Sequence, residues 1–265
     1  MRKITSLLAL GLIHFAAHAE GPANASATAS GYEKDNFSEI YFGPQAYHAR
    51  MRMEGLPPNF TGTLVGATIG FNYIRPWNIY VHLQGDWAIG RMNTSKKPNR
   101  FFHDENLGGE LGYTFTASKW RIIPFSGLSF HYLIENRKQE PLFLACKFKY
   151  QTYNLPLGFR LDYRFNHNFL LGLKPQWYFN LSPGVTITQT NGVLWQLKHK
   201  YGARVDLPFE YTFGKSIQGL LRLNPFFQWY EQGASYAITA QGVPLGIRTQ
   251  VLTYWGGLVT LGIKF

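Results

Sequence analysis

Residues Arg248 to Phe265 read RTQVLTYWGGLVTLGIKF, and this stretch decides the fold. Side chains alternate across an extended strand. Thr249, Val251, Thr253, Trp255, Gly257, Val259, Leu261, Ile263 and Phe265 therefore share one side, which is mostly apolar and ends on an aromatic residue. Gln250, Leu252, Tyr254, Gly256, Leu258, Thr260, Gly262 and Lys264 share the other, which is smaller and more polar.

The same alternation runs back through the chain to about Ser38. In one segment Val65, Ala67, Ile69, Phe71 and Tyr73 oppose Gly66, Thr68, Gly70 and Asn72. In the next, Val81, Leu83, Trp87 and Ile89 oppose His82, Gln84, Asp86 and Ala88. Short turns near Pro76, Ser118, His167 and Lys215 alternate with longer connections expected near Leu56, Lys97, Lys138, Gly184 and Gln241. Large aromatics on the apolar side fall beside the short turns (Tyr73, Phe115, Trp120, Tyr163, Tyr211) and again about ten residues on (Trp87, Tyr132, Tyr153, Trp177, Trp229, Trp255). Ten tilted residues rise about 25 Å, the height of a lipid-facing band between two aromatic girdles. A water-soluble barrel would carry many Lys and Glu on its polar face, whereas this face is mainly Gly, Thr, Asn, Gln and Tyr with scattered charges.

With these features the chain resembles the bacterial outer-membrane β-barrel family, whose last strand ends in a C-terminal Phe after alternating apolar residues. The resemblance implies an all-β fold, a transmembrane antiparallel up-and-down barrel of about ten strands. It also implies a bacterial outer-membrane location and Phe265 as the signal read by the barrel-assembly machinery.

Composition agrees: 45% hydrophobic and 17% aromatic, with only 15% charged and 27 Gly, is rich in strand formers without a long apolar run. Residues 1–19 read as a signal peptide, with basic Arg2 and Lys3, an apolar core, and Ala17-His18-Ala19 as the cleavage site. Residues 20–36 are small and polar, a flexible periplasmic tail, and 37–265 form the barrel. The net charge of +11 suits an anionic partner. Because the chain is exported, outer-membrane lipids and lipopolysaccharide are expected rather than nucleic acid. The single cysteine, Cys146, excludes an intramolecular disulfide and reads as a packed residue.

Ionisable residues on spanning strands should face the lumen. Asp86 and Glu110 fall near mid-height on the third and fourth strands, and Lys174, Arg204, Asp206 and Arg222 on the seventh to ninth. Arg160 and Asp162, like Arg204 and Asp206, are two apart and so share a face at about 6.6 Å. Two readings are open: an acidic wall facing a basic wall across a narrow, solute-passing pore, or a salt-bridged plug, and the leading function is accordingly a narrow pore or an envelope-stabilising surface barrel. The outer connections carry Arg91, Lys96, Lys97, Arg100, Arg137 and Lys138, cations suited to lipopolysaccharide phosphates. A surface adhesin acting on a ligand through these loops is the alternative function.

A membrane hydrolase is the third reading, and the chain is expected not to be an enzyme. His131 and Glu135 lie about 13 Å apart along one strand, too far for one to orient the other. His103 and Asp104 face opposite ways, and His82 and Asp86 fail on the same spacing as His131 and Glu135. No phosphate loop, nucleotide motif or zinc spacing appears, so no cofactor or metal is expected.

Overall fold

The computed structural model describes residues 37–74, 77–94, 97–137, 146–188, 194–214, 218–235, 238–240, 243–245 and 247–265. The expected signal peptide and polar tail lie outside the described residues, as does the side chain of Cys146.

Ten antiparallel strands close into a barrel. They are β1 (Phe37–Met53), β2 (Leu56–Ile74), β3 (Ile79–Thr94), β4 (Lys97–Tyr113), β5 (Trp120–Arg137), β6 (Cys146–Arg164), β7 (Phe169–Ile187), β8 (Tyr201–Asp206 and, past Pro208, Phe209–Phe213), β9 (Gln218–Gln232) and β10 (Gln250–Lys264). Each pairs with its chain neighbours, and β10 pairs with β1 from Glu39↔Lys264 to Met53↔Gln250, so no edge is left open. Phe265 finishes the seam: it and Ser38 exchange backbone hydrogen bonds at 2.9 Å. Pro44, which has no N–H to donate, falls with Gly43 in a gap of the β1–β10 ladder. At Gly43 a Cβ would meet the Val259 carbonyl at 2.0 Å, so only glycine allows the two backbones to approach there.

Between the girdles the apolar side faces out. Phe42, Leu111 and Leu128 are 66%, 63% and 63% exposed, on strands whose alternate residues are buried. A surface of that size and composition is stable only against lipid.

Two expected connections are not loops. Near Leu56, β1 and β2 are joined by Glu54 and Gly55 alone, with Gly55 at φ +67° supplying the left-handed residue of a tight turn. The stretch Arg91–Glu105 is almost all strand, with β3 running to Thr94 and β4 starting at Lys97. The loop expected at Ser182–Gly192 likewise begins as strand, since β7 runs to Ile187. The barrel thus continues past the outer girdle, where its outward side chains turn polar because water replaces lipid. That loss of apolar alternation reads in sequence as a loop.

Candidate functional site

The inward side chains form two layers. In the periplasmic half they are ionic. Arg121, just past the short turn into β5, donates to Asp162 on β6 (2.9 and 2.6 Å). Arg160 donates to Asp162 (2.7 Å) and to Glu210 on β8 (2.7 Å). Arg222 on β9 donates to Glu210 (2.9 Å) and to Glu39 on β1. Asn72 on β2 donates to Glu39 (2.7 Å) and lies 2.6 Å from His82 on β3. The chain of contacts passes most of the way round the wall. Buried charges survive only when each has a partner, and this arrangement gives every Arg a carboxylate.

A second cluster centres on Asp206, which accepts from Arg204 (2.8 and 2.9 Å), Asn224 (2.9 Å) and Gln176 (3.4 Å). The Arg204 guanidinium also lies over Phe226 at 4.4 Å. Lys174 on β7 reaches across the lumen to Glu110 on β4 at 2.8 Å. The two mid-height groups expected to face each other over open water are therefore in contact at this point. Asp86 is not part of that bridge: it accepts from Gln84 (2.9 Å) and lines a separate space. Among the described residues, small cavities lie between these clusters, one of about 70 Å³ among Tyr80, Glu110, Lys174 and Arg222 and one of about 40 Å³ among Asp86, Asp104, His131 and Arg204. Volumes of that order hold a few waters.

Outside this layer the interior becomes apolar. Met51, Phe60, Leu64, Met92, Phe102, Leu133, Tyr150, Val185 and Leu252 pack into one buried cluster. Leu197, from the connection after β7, joins them at 2% exposure. At the boundary, Asp104 accepts from the Tyr47 hydroxyl (2.8 Å) and meets His131 Nε2 (2.7 Å), while the His131 ring packs edge-on against Tyr230. This Asp–His pair joins β4 to β5 across the register, whereas spacing arguments consider only one strand at a time. It is buried beneath the apolar cluster.

Sequence reasoning missed Glu39, Arg121 and Glu210 as members of the network. Arg121 and Glu210 alternate in phase with the lumen residues, which was the available signal, but they lie nearer the periplasmic end than the mid-height residues counted.

Among the expected lipopolysaccharide-facing cations, Arg91 is exposed on the outer wall of β3. Arg100 is a correction. It points inward, 6% exposed, paired with Glu135 and lying 3.9 Å over the Phe60 ring, because β4 is strand there and even-numbered residues face inside. Lys96 and Lys138 and the side chains of Lys97 and Arg137 fall outside the described ones. Arg50 and Arg52 on β1 are exposed on the outer wall, and Lys147 and Lys149 on β6 are half-buried there. Among the described residues no group of three or more His, Cys, Asp or Glu converges as a metal site would require.

No protein-family model matches the chain, and no curated protein matches it in sequence. Among solved structures it is similar to the outer membrane protease OmpT of Escherichia coli, with a TM-score of 0.52, 10% identity, and 91% of this chain and 99% of that one covered. The translocator domain of the autotransporter NalP of Neisseria meningitidis gives 0.48 and 8%, covering 100% and 96%. The outer membrane protein OprG of Pseudomonas aeruginosa gives 0.35 and 12%, covering 88% and 97%. At these identities only the fold is shared, and the first of the three carries the comparison. Closed barrel, lipid-facing band and girdles together define an integral β-barrel of the bacterial outer membrane. Such barrels include proteases and non-enzymatic proteins alike, so activity is a question for the side chains.

Proposed function

We propose that this protein is an occluded, non-enzymatic outer-membrane barrel that stabilises the envelope and acts through its outer wall. The observation that carries this reading is the Lys174–Glu110 bridge across the lumen, together with the ionic layer below it and the apolar cluster above. A pore needs a continuous water path, and side chains fill this one from both ends. The charges Asp86, Glu110, Arg160, Asp162, Lys174, Arg204, Asp206 and Arg222 then act as a plug. A hydrolytic role is disfavoured because the Asp104–His131 pair is buried in the lumen beneath the apolar cluster, facing a cavity of only about 40 Å³. Arg50, Arg52 and Arg91, above the girdle, suit lipopolysaccharide phosphates, and Phe265 at the seam suits recognition by the barrel-assembly machinery.

Purified protein in planar bilayers is expected to show no discrete conductance. Regular steps from folded wild type would overturn the occluded reading. A ligand-binding role through the outer wall is the second reading, favoured by the cations that project above the girdle. Replacing Arg50, Arg52 and Arg91 together by Gln should then abolish attachment to lipopolysaccharide-coated surfaces without altering folding.

A further inference from the structure

On the outer wall of the barrel, among the described residues, two strand carboxylates face outward: Glu105 and Glu231. Glu231 is held by Lys200 at 2.9 Å. Among the described residues Glu105 has no Lys or Arg partner; its side chain is 44% exposed, with the His103 imidazole beside it at 2.9 Å. Its position is set by register. Glu105 on β4 lies directly opposite Trp87 on β3 and Tyr132 on β5, so it stands between two aromatics of the outer girdle, at the level where headgroups meet acyl chains.

His103 offers this carboxylate a single nitrogen, Nε2, and the Trp87 indole claims the same one. The Trp87 indole N–H donates to His103 Nε2 at 2.6 Å, with the rings edge to face. A nitrogen that accepts the indole proton presents a lone pair, and a lone pair gives nothing to Glu105. While the indole holds that nitrogen, the carboxylate lacks a donor in a half-dry setting, flanked by π faces that attract cations. A small cation carrying N–H groups has the charge and the donors to fit this position. Arg91 stands on the same outward face of β3, four residues beyond Trp87, or about 13 Å at ~3.3 Å per residue. Its long guanidinium arm can reach back toward the space over His103 and take a phosphate.

We propose that Glu105, between Trp87 and Tyr132, binds the primary ammonium of a phosphoethanolamine lipid headgroup, whose phosphate is taken by Arg91. The reading is independent of whether the lumen conducts, since the site lies on the opposite side of the wall.

The test is lipid retention. Full-length protein is reconstituted with an equimolar mixture of phosphatidylethanolamine and phosphatidylglycerol, stripped gently, and its bound lipids are counted by native mass spectrometry. Wild type should retain the ethanolamine lipid over the glycerol lipid by about three- to tenfold, the net worth of one ordinary hydrogen bond at a partly solvated site. Glu105→Gln should remove that preference, and Arg91→Gln should lower total retention of both phospholipids. A parallel arm with lipid A, with and without a phosphoethanolamine substituent, distinguishes a glycolipid source from a phospholipid one. Wild type without preference in either arm, or a preference that Glu105→Gln leaves intact, overturns the proposal. Heat-shifted gel mobility reports folding of each variant. If Glu105→Gln does not fold, Trp87→Phe, which keeps a ring but frees His103 Nε2 to donate to the carboxylate, should reduce the preference, and a Trp87→Phe protein that keeps it in full overturns the proposal.

Discussion

Along β1 the outward residues Ile40, Phe42, Pro44 and Ala46 give way past His48 to Arg50 and Arg52. On the inward side Glu39 and Gln45 give way to Tyr47, Ala49 and Met51. On β2 the exchange runs from Ile69 and Val65 outside to Thr63 and Thr61, and from Asn72 and Thr68 inside to Leu64 and Phe60. β6 does the same, with Lys149 and Lys147 outside above Tyr153 and Tyr150 turned in. The backbone ladder does not change across this level; the solvent outside it does. Below the girdle lipid takes the apolar side and the polar side must pair with itself inside. Above the girdle water takes the polar side, and the apolar residues gather in the interior as they do in a soluble barrel. The molecule is held mainly by ion pairs in one half and, in the other, by a packed core that encloses the Arg100–Glu135 pair.

The contrast can be broken first at the ion pairs. Glu210→Ala removes the shared acceptor of Arg160 and Arg222, and it should destabilise the barrel by about 3–5 kcal/mol, since Arg121, Arg160 and Arg222 would then share Asp162 and Glu39 with one buried positive charge uncompensated. Urea unfolding from lipid vesicles, followed by tryptophan emission, measures this. A loss no larger than that of a surface substitution would mean that water in the cavity solvates the arginines.

The packed half gives the next largest effect. Leu133→Ala, inside the outer cluster at 1% exposure, should cost about 2–5 kcal/mol. Leu128→Ala, on the same strand but facing lipid, should cost roughly half as much, because acyl chains fill the gap that a protein core leaves empty. Equal costs would argue that the outer interior is loosely packed.

The position of the boundary can be sharpened with charge. Ile69→Lys, mid-way between the girdles on the outward face, should cost about 2–4 kcal/mol. Asn93→Lys, outward but above the girdle, should change stability by no more than about 0.5 kcal/mol. The smallest effect belongs to the Lys200–Glu231 pair above the membrane. The Lys200 ammonium is held above the ordinary lysine range by its hydrogen bond and charge contact with Glu231. A raised pKa contributes stability that is complete below the unfolded lysine value near 10.4 and fades as pH rises through the folded one. Because the pair is solvated, the change should be slight, and absent in Lys200→Met.

The strands between the girdles were legible because lipid imposes a strict period of two on them. The ends of the strands were not. Phe60, Met92 and Phe102 sit in segments whose polar neighbours Thr61, Arg91 and Arg100 read as loop, although the alternation persists there with its phase reversed. Arg100 shows the consequence: assigned to a loop it faces headgroups, whereas on a strand it is drawn inside to Glu135. The Lys174–Glu110 contact could be anticipated only as two walls roughly opposite. The Asp104–His131 and Glu105–Trp87 juxtapositions depend on register between strands, which a single-strand spacing argument cannot supply.

The sequence by itself determined that this chain crosses a membrane as β-strands, where its short turns fall, and which side chains between the girdles avoid lipid, because each follows from local alternation and turn chemistry. The tertiary structure decided who pairs with whom: that the lumen charges neutralise one another, that the outer interior is a dry core, and that one outward carboxylate stands between two girdle aromatics. Those facts rest on closure and register, which bring together residues far apart in the chain. Closure is fixed by all ten strands at once.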